Sequence, residues 1–365
     1  MRKALITVVI TMIALGVVAG VVGFRVWDRM HAPYKGYAGT EQFVDIPPGT
    51  SSSAIGRRLV DAGVIENDLA FRAALRWTAR GQSLKAGEYR FDRPLSAVEV
   101  IGTIARGEAF ARRITFPEGL TILEMARLYE SRGFGPAGDF TQAAADPSLV
   151  IDIDPAATDL EGYLFPDTYA LPRRTPASRL VAQMVGRFRA TYTDDIRAHA
   201  EEREMTTREV VALASLIEKE TAAPDERPLV SAVYTNRLKI GMGLQADPTV
   251  VYALQKSGKY DGNIRREDLS LDSPYNTYKY RGLPPGPIAS PGKASLEAAV
   301  SPADVPYLYF VSRNDGTHAF AATLSEHNAN VRKFQVQYFR DQRARREAGE
   351  RGQGKGGRTV SGDRP

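Results

Sequence analysis

Two carboxylates close the run ASLIEKET, Ala214 to Thr221: Glu218 and Glu220, with Lys219 between them. The run ends a helical pattern predicted over 206–221. Val210, Val211, Leu213, Ala214 and Ile217 recur in it at the spacing of one buried helix face. At about 100° per residue, Glu218 projects between Ala214 and Val211, inside the apolar arc. Glu220 falls just outside that arc, beyond Leu213, and Lys219 points to the opposite, wet side. A glutamate on an apolar face is costly to bury as a charge, so it is paired, neutral or lining a cleft. Two readings stand. One is a helix end with Glu218 at the rim of the core, the commoner case for an arbitrary protein. The other is an acid placed for chemistry.

The segments around this helix are polar and aromatic. GLQADPTVVYAL carries Gln245, Asp247, Thr249 and Tyr252. SPYNTYKYRGLPPGPIASPG, Ser273 to Gly292, holds five prolines and three glycines, with Tyr275, Asn276, Tyr278 and Tyr280 in its first eight positions. Such a stretch is neither helix nor central strand. It is too aromatic for a disordered linker and reads as an ordered, binding-type loop. LEGYLFPDTY, Leu160 to Tyr169, packs Glu161, Tyr163, Phe165, Asp167 and Tyr169 into one short alternating run. It suits a wall on which sugar rings stack, and equally an ordinary strand with core aromatics.

Composition narrows the chemistry. The chain has no cysteine, hence no thiol nucleophile and no thiolate metal site. Its four histidines lack the close spacing of a zinc helix motif, so neither metal nor cofactor is expected. There is no glycine-rich phosphate loop and no G-x-S-x-G. Net charge is only +5, and the basic residues do not cluster near the aromatic ones, so nucleic acid is not the expected partner. An elongated polar ligand remains, and a polysaccharide fits better than a nucleotide. Glycosidic cleavage needs an acid to protonate the leaving oxygen, and ordinary glycosidases add a second carboxylate. When a hydroxyl of the sugar itself attacks the anomeric carbon, a single acid that turns into a base is enough. Desolvation on an apolar face suits a glutamate to that work, which favours Glu218 over Glu220.

The elements that would position these groups follow the chain. Ala4 to Phe24 is almost wholly apolar and uncharged, the length of a membrane-spanning helix at roughly 20 residues. It lacks a convincing cleavage site and reads as an uncleaved anchor. Residues 31–40 form a linker. A strand–turn–helix pattern then occurs twice, as Ile46-Pro-Pro-Gly49-Thr-Ser and Phe116-Pro-Glu-Gly119-Leu-Thr. Their helices, Ser51 to Ala62 and Thr121 to Arg132, run out at Gly63 and Gly133. A helix over Leu69 to Arg80, a strand over Gly87 to Phe91 and a helix over Ser96 to Arg106 lie between, so 41–112 is predicted to be a small βααβ module. Residues 176–204 read as a helical pair or one long helix, and Leu229 to Leu238 as another helix. Tyr307 to Val311 and His318 to Ala321 form a predicted hairpin, Ser325 to Gln342 an amphipathic helix, and 343–365 a disordered tail. The predicted fold class is α+β, with domain boundaries at 1–30, 31–40, 41–112, 113–342 and 343–365.

Taken in order, LEGYLFPDTY, ASLIEKET, VYTNRLKIGMGLQADPTVVYAL, YNTYKYRGLPPGPIASPG and PYLYFV…GTHAF…HN resemble the endolytic murein transglycosylases, the YceG-like family. The resemblance runs from about Val44 to about Phe339. It implies a single-pass inner-membrane enzyme with a LysM-like module and its catalytic domain in the periplasm. Such an enzyme cleaves nascent peptidoglycan between N-acetylmuramic acid and N-acetylglucosamine without water, leaving 1,6-anhydro ends. Glu218, the first Glu of E-K-E-T, would be its catalytic residue. The family implies partners too: glycan strands, and the synthases beside which strand length is set. Gln245, Asp247, Asn276 and Tyr278 are candidates to hold the acetamido and lactyl groups or to polarise Glu218, and equally to be loop residues. Glu161, with Tyr163 beside it, is the runner-up carboxylate. His318 reads as a hydrogen-bonded strand residue and Glu220 as a cap or a partner of a base. Two rivals stay open: a non-catalytic peptidoglycan-binding scaffold, and a hydrolase using a second acid such as Glu161 or Asp247.

Overall fold

The computed structural model describes residues 2–78, 83–340 and 342–343. The predicted tail and the end of the helix placed over Leu69 to Arg80 fall largely outside these. The described residues form a mixed α+β fold of helices and two-stranded sheets, divided into two compact units.

The first unit holds the described residues up to Arg113, with Ala170–Arg174. Helix α1 (Arg2–His31) contains the apolar run, whose side chains from Leu5 to Phe24 are exposed. Strand β1 (Gln42–Ile46), helices α2 (Ser52–Asp61) and α3 (Asp68–Thr78), and strand β2 (Gly87–Phe91) follow. The strands pair antiparallel, Gln42 opposite Phe91 and Ile46 opposite Gly87. This is the strand–helix–helix–strand order read from the sequence. Alternation along β1 and β2 puts Val44, Ile46, Tyr89 and Phe91 into the core. There they meet Ile55, Leu59, Phe71, Ala74 and, from α4 (Ala97–Arg106), Val100, Ile101 and Ile104.

The second unit holds Ile114–Tyr169 and the described residues from Thr175 on. Its helices are α5 (Ile122–Ser131), α6 (Ala137–Ala144), α7 (Ala177–Thr191), α8 (Asp194–Glu202), α9 (Thr207–Glu220), α10 (Arg227–Lys239), α11 (Asp247–Lys256), α12 (Lys293–Val300) and α13 (Leu324–Val331). Residues 176–204 are thus a pair, broken at Tyr192 and restarted by the Thr193 cap. Strands β3 (Arg112–Thr115) and β4 (Thr168–Leu171) each have residues in both units, and within this one β5 (Tyr309–Ser312) runs antiparallel to β6 (His318–Ala321) as the predicted hairpin. The single amphipathic helix expected from Ser325 to Gln342 instead passes from α13 into a π-helical stretch, Arg332–Gln337.

Helix α9 is the centre of this unit. It begins with a reciprocal cap, in which Thr206 Oγ1 accepts from Glu209 N–H and the Glu209 carboxylate accepts from Thr206 N–H. It packs on α8, α10, α11 and α12. Consequently every residue from Val210 to Ile217 is buried, not one face alone. That corrects the expected stripe: with neighbours on several sides, the helix meets solvent only at its first and last turns.

The repeat is real in the backbone. Ser51 and Thr121 are both N-caps. Gly49 and Gly119 take left-handed φ of 79° and 77°, and Gly63 and Gly133 both take 68°, where a β-carbon is penalised.

Candidate active site

Three segments meet around the end of α9. The turn Pro117–Gly119 is stitched to the proline-rich loop by Gly119 N–H to Ser290 O (2.8 Å) and Ser290 N–H to Leu120 O (2.9 Å). That loop is tied to α9 by Ile288 N–H donating to Ser215 Oγ (3.1 Å). Arg208, on the first turn of α9, pairs with Asp154 and donates to Pro285 O (2.7 Å). At Gly162, φ is 83°, and a β-carbon would overlap Pro287 and Val211. The glycine of LEGYLF therefore lets its turn press onto both loop and helix.

Glu218 lies at this junction with its side chain only 7% exposed. One carboxylate oxygen accepts from Gly292 N–H (2.9 Å), and the other faces Arg227 Nη2 at 3.4 Å. Arg227 is itself 10% exposed and is held by donation from Nε to Ser295 Oγ (3.1 Å). A second carboxylate approaches the same guanidinium: Glu118 Oε2 stands 3.8 Å from Arg227 Nη2, with its side chain 49% exposed. Burial first, and then the charge of Glu218, raise Glu118 above its ordinary value, against the lowering effect of Arg227. Two carboxylates thus share one guanidinium, and the outer one faces solvent.

Lys219 does not simply point to water. Its Nζ donates to Gly119 O (3.1 Å), clamping the Glu118 turn onto α9. Glu220 belongs to a separate cluster. It accepts from the Tyr234 hydroxyl (2.6 Å) and interacts with Asp247, His318 and Arg237. Burial raises its pKa, and the Tyr234 bond lowers it in part. The two acids of E-K-E point about 200° apart around the helix, so they serve different neighbourhoods.

The other sequence candidates separate in the same way. Asp247 and Tyr278 come together, Tyr278 O–H donating to Asp247 Oδ1. Gln245 is exposed, with a left-handed φ of 50° that side chains other than glycine rarely adopt. Asn276 is fully buried. Its amide donates to Leu269 O and Leu271 O and its oxygen accepts from Tyr278 N–H, so every group braces the loop. Tyr163 is 1% exposed with its hydroxyl on Asp154, and Phe165 and Tyr169 are buried too. LEGYLFPDTY is therefore core packing, and the sugar-stacking wall is corrected on that ground. His318 lies on β6 with N–H and Nδ1 both at Glu226, a hydrogen-bonded strand residue.

Glu161 is 7% exposed, accepting from Ile122 N–H at the start of α5 and from the Tyr252 hydroxyl. It lines a cavity of about 240 Å³ with Asp159, Gln255 and Lys256. Burial pushes its pKa from 4.5 up to about 8. Because the folded value is the higher one, the folded protein holds the proton more tightly, and stability falls as pH rises between those two values. The melting temperature of the wild type is expected to decline across that interval, and Glu161→Gln to flatten the decline. Parallel curves for the two proteins would refute this.

Sequence reasoning missed Glu118, Arg227, Gly292 and Ser295. The internal repeat held one signal: the first copy has Pro48 where the second has Glu118, an acid in an otherwise apolar turn. Gly292 gives a direct test. Its φ of −79° suits any residue, but a β-carbon there would overlap the Glu118 carboxylate. Gly292→Ala is expected to push that flexible side chain aside at little cost in melting temperature, while lowering turnover as far as Glu118→Gln does. Full activity in both variants would remove Glu118 from the site.

The fold and site together define an α+β protein whose central helix ends in an arginine-held glutamate. The chain belongs to the YceG-like family, whose model matches residues 44–333. It is 32% identical over 308 residues to a Bacillus subtilis protein named endolytic murein transglycosylase, covering 80% of this chain and 84% of that one. A Streptococcus pneumoniae protein of the same name is 30% identical over 327 residues, covering 79% of this chain and 57% of its own length. A crystal structure of a YceG-like protein from Listeria monocytogenes superposes with a TM-score of 0.55 at 31% identity, covering 80% of this chain and 99% of that one.

Proposed function

We propose that the chain is a membrane-anchored lytic transglycosylase that cuts peptidoglycan strands internally, with Glu218 as acid and then base. The observation that carries this is a nearly buried glutamate whose two oxygens are both positioned, by Gly292 N–H and by Arg227. Protonated Glu218 gives its proton to the oxygen linking N-acetylmuramic acid to N-acetylglucosamine, and the bond from that oxygen to the anomeric carbon breaks. The resulting carboxylate takes the proton of the muramic 6-hydroxyl as its oxygen attacks the same carbon. A 1,6-anhydro ring forms, no water is consumed, and Glu218 ends protonated as it began. Arg227 and Gly292 N–H stabilise the intermediate carboxylate. Gln245, exposed and strained, and the Asp247–Tyr278 pair are the remaining candidates to touch substrate.

In this reading α1 spans the inner membrane and the rest of the chain lies in the periplasm. The 41–112 module is LysM-like and binds glycan, residues 113–342 form the catalytic domain, and the enzyme ends strand elongation beside the synthases. The family match and the named relatives support the substrate class, and the apolar helix supports the anchor. A second reading, hydrolysis, is favoured by one observation: the half-exposed Glu118 could activate a water. It replaces Glu161 and Asp247 as the second acid to test. Uncrosslinked glycan digested in water labelled with heavy oxygen separates the cases by mass. Anhydro ends without label support the transglycosylase, labelled reducing ends the hydrolase, and uncut strands a scaffold.

A further inference from the structure

We propose that the exposed face of α3 is a membrane-docking surface, seated at the boundary between lipid headgroups and acyl chains. This rests on α1 being a membrane span. Helix α1 continues unbroken past Phe24, the last residue of its apolar run, to His31. Trp27 stands three residues beyond Phe24, about 4.5 Å further along the axis. That is the level at which indole rings settle in a bilayer, apolar ring inward and N–H toward water.

Helix α3 packs against α1. Trp77, at its end, meets Trp27 edge-on, with ring centroids 4.8 Å apart and planes at 89°. The only two tryptophans of the chain are therefore held at one height. Leu69, Arg72, Arg76 and Trp77 fall at positions i, i+3, i+7 and i+8 of α3, one face of the helix. All four are exposed, Leu69 at 53% and Trp77 at 54%, with Trp77 at the edge of the arc beside buried Ala70, while Phe71 and Ala74 on the other side enter the core. A leucine and a tryptophan left out of the core, interleaved with arginines, match a helix lying in the membrane surface, its apolar groups reaching about 5–10 Å inward. Arginine stems cover apolar surface while their heads meet phosphate. Arg72 is paired with Asp68 in an exposed bridge, an interaction weak enough to yield to a headgroup. Arg25 and Arg29 add exposed charge beside the same point. Docking would hold the part of the first unit beyond α1 against the bilayer.

The two-tryptophan inventory makes the test clean. Full-length Trp27→Phe leaves Trp77 as the sole indole. It is placed in nanodiscs of equal parts phosphatidylcholine and anionic phosphatidylglycerol. The phosphatidylcholine is brominated either high on the acyl chains or near their ends. Docking predicts blue-shifted Trp77 emission, quenched more by the shallow bromines than by the deep ones. As a control for the span, Val18→Trp is read in the Trp27→Phe/Trp77→Phe background. Deep quenching at that position together with unquenched, water-like Trp77 emission overturns the docking and leaves the anchor standing. Absence of quenching at both positions overturns the anchor, and the docking with it.

Discussion

Glu218→Gln is expected to reduce the appearance of anhydro-muramic ends by about 10³-fold, the scale of losing one general acid–base group. The amide keeps the shape of the side chain and can still accept from Gly292 N–H, so the loop should stay seated on α9. What disappears is the ability to release a proton to the leaving oxygen and to take one back. The loss should fall on turnover, with substrate affinity little changed, because the group acts mainly in the transition state. Glu220→Gln is the internal control. That residue lies in a different cluster, hydrogen-bonded to Tyr234, so its replacement should show first in melting temperature. Strands still cut at the wild-type rate by Glu218→Gln, with Glu220→Gln inactive but folded, would reverse the assignment.

Arg227→Ala is expected to damage both stability and activity. It leaves Glu218, 7% exposed, without its counter-charge, and strips Ser295 Oγ of its donor. Removing one partner of a buried ion pair costs about 4 kcal/mol, which for a unit of this size lowers the melting temperature by about 10 °C. Two unscreened carboxylates, Glu218 and Glu118, would then repel across the site. Arg227→Lys should recover part of the stability but less of the activity. A lysine keeps the charge, yet lacks the planar fork that reaches Ser295 and Glu218 at once. Wild-type melting and turnover in Arg227→Ala would mean that the pair contributes nothing in solution.

Much of the architecture was legible because its causes are local. The caps at Ser51 and Thr121, and the left-handed glycines 49, 63, 119 and 133, act within a few residues of themselves. Alternation in β1 and β2 and the turn between β5 and β6 are local as well. The prominence of Glu218 came partly from helix phase, but that argument assumed one buried face. The helix is buried around its whole circumference from Val210 to Ile217, so phase alone cannot explain why Glu218 is singled out. The aromatic run LEGYLFPDTY shows the same limit. Its alternation fits a sugar wall and a core strand equally, and only packing shows the rings inside.

By itself the sequence determined the α+β class, the apolar N-terminal helix, the repeated strand–turn–helix unit and the helix that ends in Glu218 and Glu220. Each depends on short-range periodicity or on the conformational limits of particular residues. The tertiary structure alone decided which groups stand beside Glu218. Glu118 lies 100 positions earlier and Gly292 74 later. No spacing rule links them, because loop closure over such lengths is set by what the intervening core can pack, not by local preference. For the same reason the two glutamates of one short motif, alike in sequence, end in opposite settings: one on a shared guanidinium, the other sealed against a tyrosine.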